Sequence, residues 1–149
     1  MQLRGVSTHG LAWYPQYVNQ EFFTELREVW GANVVRLATY SAEEGGYALE
    51  TSDRAALNDL VVRGVQYAQA ADLYAVVDWH TLSDANPLTN QWAAEEFFRS
   101  VSGALGDADN VIYEICNEPN GSTSWADIKA YAEAVIPIIR ANDPDAVIV

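Results

Sequence analysis

A glutamate flanked by an asparagine and a proline, Asn117-Glu118-Pro119, is the strongest candidate for chemistry in this sequence. A carboxyl group kept protonated by partial burial can give its proton to a leaving oxygen, and the neighbouring amide can hydrogen-bond a substrate hydroxyl. By itself the tripeptide is only a turn that ends a strand. Its place after the apolar run Val111-Ile112-Tyr113-Glu114-Ile115 gives it weight. His80 closes a similar run, Val76-Val77-Asp78-Trp79-His80, where it would hydrogen-bond a substrate or a catalytic carboxylate; a satisfied loop histidine is the equal alternative. Arg36 sits inside Val34-Val35-Arg36-Leu37, and an arginine buried there needs a carboxylate partner, for which Glu114 is the candidate. Such a pair is structural, or it holds a catalytic carboxylate ionised, and the two roles are compatible.

A second group is aromatic. His9, Trp13, Tyr14 and Tyr17 follow the first apolar run, and Tyr40 follows the second. Aromatic faces stack on the C–H-rich faces of pyranose rings, so Trp13 and Tyr14, in a loop ahead of the first helix, read as sugar contacts. Tyr17 reads as packing, as do Trp30, Trp92 and Trp125, which fall near helical stripes. Cys116 reads as a small strand residue, because no histidine base stands at a telling spacing. Glu43-Glu44 and Asp107/Asp109 read as solvated loop charges.

The 149 residues carry 8 Lys+Arg against 21 Asp+Glu, a formal charge of −13. That excess opposes encounter with a phosphate backbone, so nucleic acid is not the expected partner, whereas a neutral sugar is compatible. No apolar run is long enough to span a bilayer, and none near Met1 has signal-peptide length. A single cysteine excludes an internal disulfide and a cysteine-built zinc site, and two histidines, His9 and His80, are too few for a histidine-rich metal centre. Half the residues are apolar, enough for the core of one globular domain.

The elements that must position these residues alternate. Short runs at Leu3–Val6, Val34–Leu37, Tyr74–Val77, Val111–Ile115 and Ala146–Val149 suit strands buried on both faces. Between them, apolar residues three and four apart (Phe22 to Trp30, Leu57 to Ala71, Phe97 to Leu105, Ile128 to Ile139) suit helices with one buried face. Ser124 and Asp127 are spaced as a capping box, and Pro137 interrupts the fourth helix and should bend it or shorten its hydrogen-bond ladder. This β-α alternation fits an open doubly wound sheet or a (β/α)8 barrel. The first turn, Ser7-Thr8-His9-Gly10, lacks a dinucleotide-binding glycine pattern. Polar and aromatic residues at four successive strand ends favour the barrel, whose usual length is about 250 residues. The expectation is an α/β fold: a partial (β/α)8 barrel over residues 1–149, with four βα units and a fifth strand.

Leu3-Arg4-Gly5-Val6-Ser7-Thr8-His9-Gly10, Trp13-Tyr14, Asn33-Val34-Val35-Arg36, Asp78-Trp79-His80 and Ile112 through Gly121 together resemble endo-β-1,4-glucanases (cellulases) of glycoside hydrolase family 5, in particular the bacterial secreted branch. The resemblance runs in register over nearly the whole chain. It implies retaining hydrolysis of β-1,4-glucans without a cofactor, with Glu118 as acid/base and Asn117 on the 2-hydroxyl of the reacting sugar. Arg36 and His80 would support the nucleophile and the reacting-sugar subsite, and His9, Trp13, Tyr14 and Tyr40 would contact the glycone side. A mannanase, xylanase or xyloglucanase of the same clan, and a non-catalytic glucan-binding piece, are the alternatives. The family's nucleophile, a second glutamate near the end of the seventh strand, has no counterpart among these residues. The expectations are therefore an N-terminal portion of a secreted catalytic domain, inactive alone, and self-association through the open edges of a half barrel.

Overall fold

The computed structural model describes residues 2–149. Its elements are β1 (Gly5–Ser7), α1 (Gln20–Glu28), β2 (Val34–Tyr40), α2 (Arg54–Ala70), β3 (Tyr74–His80), α3 (Gln91–Leu105), β4 (Val111–Glu114), α4 (Trp125–Asn142) and β5 (Val147–Ile148), with one 3-10 turn at Pro15–Tyr17. The strands form one sheet in the order β1-β2-β3-β4-β5, every neighbour parallel. Parallel pairing of consecutive strands through a helix is the expected result of βαβ alternation. β1 approaches β2 so closely that a Cβ on Gly5 would lie 1.8 Å from the Val34 carbonyl oxygen, so residue 5 has to be glycine.

Helix starts follow local chemistry. The Asn19 side chain accepts from the Phe22 N–H at 2.9 Å and that of Asp53 from Ala56 at 3.0 Å. Ser124 and Asp127 form the expected reciprocal box, each accepting from the other's backbone. Helix α4 is not cut by Pro137; it runs through it to Asn142, since a proline removes one donor and packing of Tyr131, Val135 and Ile139 on the sheet holds the rest.

The core lies between sheet and helices. Val35, Leu37, Ala75, Val77, Trp79, Val111 and Tyr113 alternate onto the helix side and are buried against Val61, Val65, Phe97, Phe98 and Tyr131. The opposite face differs from the expectation of strands buried on both sides. Val34, Arg36, Tyr40, Val76, His80, Ile112 and Glu114 are only partly covered, because none of the described elements packs across this face of the sheet. Strands β2 and β3 also run further than their apolar runs, to Tyr40 and His80. Both residues therefore belong to strands, paired in register with each other.

Candidate active site

Alternation along three strands brings the charged groups together. Arg36 on β2, Asp78 on β3 and Glu114 on β4 all point to the open face, and Asp78 is the register partner of Glu114. The Arg36 guanidinium forms a bidentate pair with Glu114, Nε to Oε2 at 2.7 Å and Nη2 to Oε1 at 2.6 Å. The same Nη2 donates to Asn117 Oδ1 at 2.9 Å, and Nη1 lies 3.1 Å from Asp78 Oδ2. Asp78 Oδ2 in turn accepts from His80 Nδ1 at 2.7 Å. One guanidinium on β2 thus fixes two carboxylates and an amide from β3, β4 and the segment after β4, and the expected Arg36–Glu114 pair is present.

Asn117 follows β4. Its backbone N–H donates to the Trp79 carbonyl at 3.0 Å and its side-chain amide donates to the Thr81 carbonyl at 2.9 Å. With Oδ1 held by Arg36, one amide hydrogen remains for a ligand. Glu118 comes next in the left-handed region, with φ +35°. That conformation costs a non-glycine residue about 1–2 kcal/mol. The loop beyond it holds the geometry: Asn120 donates to the Glu118 carbonyl at 2.9 Å and to the Ala85 carbonyl at 3.2 Å, and Thr123 Oγ1 donates to Ala85 as well. The expectation of a partly buried Glu118 is not met. Its side chain is exposed, because the open face carries no wall opposite this loop.

Charge and burial pull against each other here. Burial would lower the Arg36 pKa, but hydrogen bonds to Glu114 and the nearby charges of Asp78, Glu114 and Glu118 more than offset it, and the net movement is upward. For Asp78 burial wins over His80 and Arg36 and raises the carboxyl from 3.8 to about 6. The native state therefore binds the Asp78 proton more tightly than the unfolded chain does. The group's stabilising contribution is complete below about pH 4 and is lost as pH rises through about 6, a change of roughly 3 kcal/mol. Urea unfolding of the wild type should accordingly lose stability relative to Asp78→Asn between pH 4 and pH 7; parallel pH profiles for the two proteins would contradict this.

The aromatic group gathers at the same sheet edge. The His80 and Tyr40 rings lie 4.4 Å apart, and Tyr40 also meets Trp13 edge-on at 5.1 Å. His9 packs on Trp13 at 4.9 Å and on Tyr14 at 5.7 Å. The indole N–H of Trp13 donates to the Glu44 carbonyl at 2.5 Å, which fixes the ring plane. Ser7, Thr8, His9, Tyr14, Tyr17 and Phe22 line a groove of about 370 Å³ beside β1. All eight residues singled out in the sequence thus lie along one end of the sheet. Side-chain hydrogen bonds link Arg36 with Asn117 and with His80, and Tyr40 with His9, whereas Glu118 makes none to the others among the described residues.

All 149 residues match the model of the cellulase family, glycosyl hydrolase family 5. The chain belongs to that family. It is 47% identical over 150 residues to an endoglucanase of Clostridium saccharobutylicum and 46% identical over 142 residues to endoglucanase A of Butyrivibrio fibrisolvens, covering 100% and 95% of this chain and 33% of each relative. The solved catalytic domain of Thermobifida fusca endoglucanase Cel5A superposes with a TM-score of 0.91 at 41% identity, over 99% of this chain and 47% of that one. A variant of the same domain, in complex with cellotetraose, superposes equally well. The chain spans about a third of the length of these curated relatives and about half of the solved domain. Its five parallel strands and four helices are part of a (β/α)8 barrel, as expected.

Within this family frame several readings change. Trp30, Trp92 and Trp125 are not packing residues; they are 63%, 51% and 76% exposed. Trp125 stands in the exposed first turn of α4, whereas Trp92 is exposed beside the buried Ala93 and Ala94 of α3, and the Arg54 guanidinium lies 4.7 Å over its ring. Tyr17 is likewise exposed. Glu43 is no free loop charge, since its carboxylate accepts from the Ser83 N–H and hydroxyl, both at 3.0 Å, and so ties two βα loops together. Cys116, read from the sequence as a small strand residue, lies just past the end of β4, and burial pushes its thiol up to about 11. Asp78 was not singled out from the sequence, although Val76-Asp78-His80 alternation on a strand carries the signal.

Proposed function

We propose that this chain supplies the acid/base wall of a retaining, endo-acting β-1,4-glucan hydrolase. Glu118 gives its proton to the glycosidic oxygen as the C–O bond breaks, then, as a carboxylate, takes a proton from the water that releases the glycosyl intermediate. Asn117, Arg36 and His80 hold the reacting sugar and its surroundings, while His9, Trp13, Tyr14 and Tyr40 carry the glycone side. The observation behind this reading is the guanidinium of Arg36, which ties Glu114, Asp78 and Asn117 into one frame immediately before Glu118. The endoglucanase relatives and the cellotetraose complex of one of them support the substrate class.

Retaining chemistry needs a second carboxyl group about 5–5.5 Å from the first. Glu114 is engaged on both oxygens by Arg36, so it is not free to attack an anomeric carbon. The nucleophile belongs to the later strands of the family's barrel, and residues 1–149 act as one portion of a single catalytic domain. Alone they bind glucan without cutting it. A glucan polymer is too large to enter a cell, so the proposed place of action is extracellular.

Calorimetry with cellopentaose, mannopentaose and xylopentaose tests the substrate class on the chain itself. Cellopentaose should bind best. Trp13→Ala should weaken it on the order of 10-fold, the value of one stacked ring. Tighter binding of the mannan or xylan oligomer would move the proposal to that branch of the clan.

A further inference from the structure

The two histidines are held by partners of opposite kind. His80 Nδ1 lies 2.7 Å from Asp78 Oδ2, and a carboxylate accepts only, so Nδ1 must carry the hydrogen. His9 Nδ1 receives the Gly10 backbone N–H at 2.8 Å and faces the Tyr40 hydroxyl at 3.4 Å, so this nitrogen must be the bare one. In both rings Nε2 makes no hydrogen bond among the described residues, and both rings pack on Tyr40, at 4.4 and 5.8 Å.

We propose that Asp78 is a positioning residue that sets the tautomer of His80 opposite to that of His9, so that one imidazole offers a ligand an acceptor and the other a donor. Asp78 is wholly buried and its second oxygen, Oδ1, has no partner among the described residues. Leaving a carboxylate oxygen unsatisfied is costly, and charge pairing with Arg36 alone does not call for it, since Arg36 already has Glu114. What Asp78 adds is control of Nδ1. Arg36 Nη1 is 3.2 Å from the same nitrogen and can only donate. Two groups therefore compete for it: the carboxylate demands an N–H, the guanidinium a lone pair. While Asp78 is ionised it wins, and Nε2 of His80 presents a lone pair. A sugar ring, whose hydroxyls donate and accept, meets an acceptor at His80 and a donor at His9. This consequence for ligands rests on the glucan reading, whereas the tautomers do not.

The chain has only these two histidines, which makes the test direct. Long-range proton–nitrogen correlation of the ¹⁵N-histidine-labelled 149-residue chain at about pH 9, where free imidazole is neutral, reads both tautomers. The wild type should show His80 as Nδ1–H and His9 as Nε2–H, each favoured at least about tenfold. In Asp78→Asn the Arg36 N–H takes the freed lone pair and His80 should reverse to Nε2–H, with His9 unchanged. Asp78→Ser serves the same purpose if the amide variant does not fold. An Nε2–H His80 in the wild type, or an Nδ1–H His80 in either folded variant, overturns the proposal. Loss of oligosaccharide binding would count against the glucan reading and leave these resonances as they are.

Discussion

Glu118→Gln should lower hydrolysis of carboxymethylcellulose by about 10²- to 10⁴-fold once the barrel is completed with strands that carry the family's second glutamate. The amide has the size and shape of the carboxyl group but holds no transferable proton. The departing sugar must then leave as an alkoxide, and the loss falls on kcat, with cellopentaose affinity nearly unchanged. An aryl cellobioside sharpens the test. Its phenolate leaves without protonation, so formation of the glycosyl intermediate should be spared, and only its release, which still needs a base, should be slow. A burst of phenol followed by slow turnover is the expected signature. Unchanged turnover in Glu118→Gln would remove the acid/base role. Glu118-dependent turnover by the 149 residues alone would instead show that they need no second glutamate from later strands.

Much of this arrangement can be read from the residues because burial and charge conflict visibly in a sequence. An arginine between Val35 and Leu37 has to find a carboxylate, and Glu114 stands at the matching place one strand over from Asp78. Alternating apolar runs and helical stripes likewise fix a parallel sheet with helices on one side. Other features depend on things no local pattern encodes. A large aromatic near a helical stripe reads as core, yet Trp125 lies in the exposed first turn of α4, and at the start of α3 the small Ala93 and Ala94 take the buried places while Trp92 is exposed. Asp78 lies beyond the apolar residues Tyr74 to Val77, and only the hydrogen-bond ladder, which runs on to His80, shows how far the strand alternation that sets its face extends. Exposure of Glu118 depends on what stands across the sheet, and a residue's own neighbours in the chain do not report that.

Arg36→Ala should destabilise the fold by about 3–5 kcal/mol, the usual cost of removing one member of a buried charge cluster. For a chain of this size that corresponds to a fall in Tm on the order of 10 °C. The loss comes less from the missing attraction than from what is left behind. Asp78 is fully buried and Glu114 mostly so, and without the guanidinium their oxygens lose the donors that satisfy them, while Asp78 must ionise in a poorly solvated place or take up a proton. Asn117 also loses the donor to its Oδ1, so the segment leading into Glu118 loosens. Arg36→Lys should recover only part of the loss, since one ammonium cannot span Glu114, Asp78 and Asn117 at once. Two further measurements separate this account from simple loss of side-chain packing. Acid should shrink the penalty, because Asp78, whose carboxyl is raised to about 6, no longer needs a cation once protonated, whereas a packing defect would persist at low pH. Asp78→Asn combined with Arg36→Ala should cost less than the sum of the two, because the second change removes one of the charges that the first strands. An Arg36→Ala penalty that is the same at pH 4 and pH 7 and adds fully to that of Asp78→Asn would mean that the guanidinium contributes bulk alone.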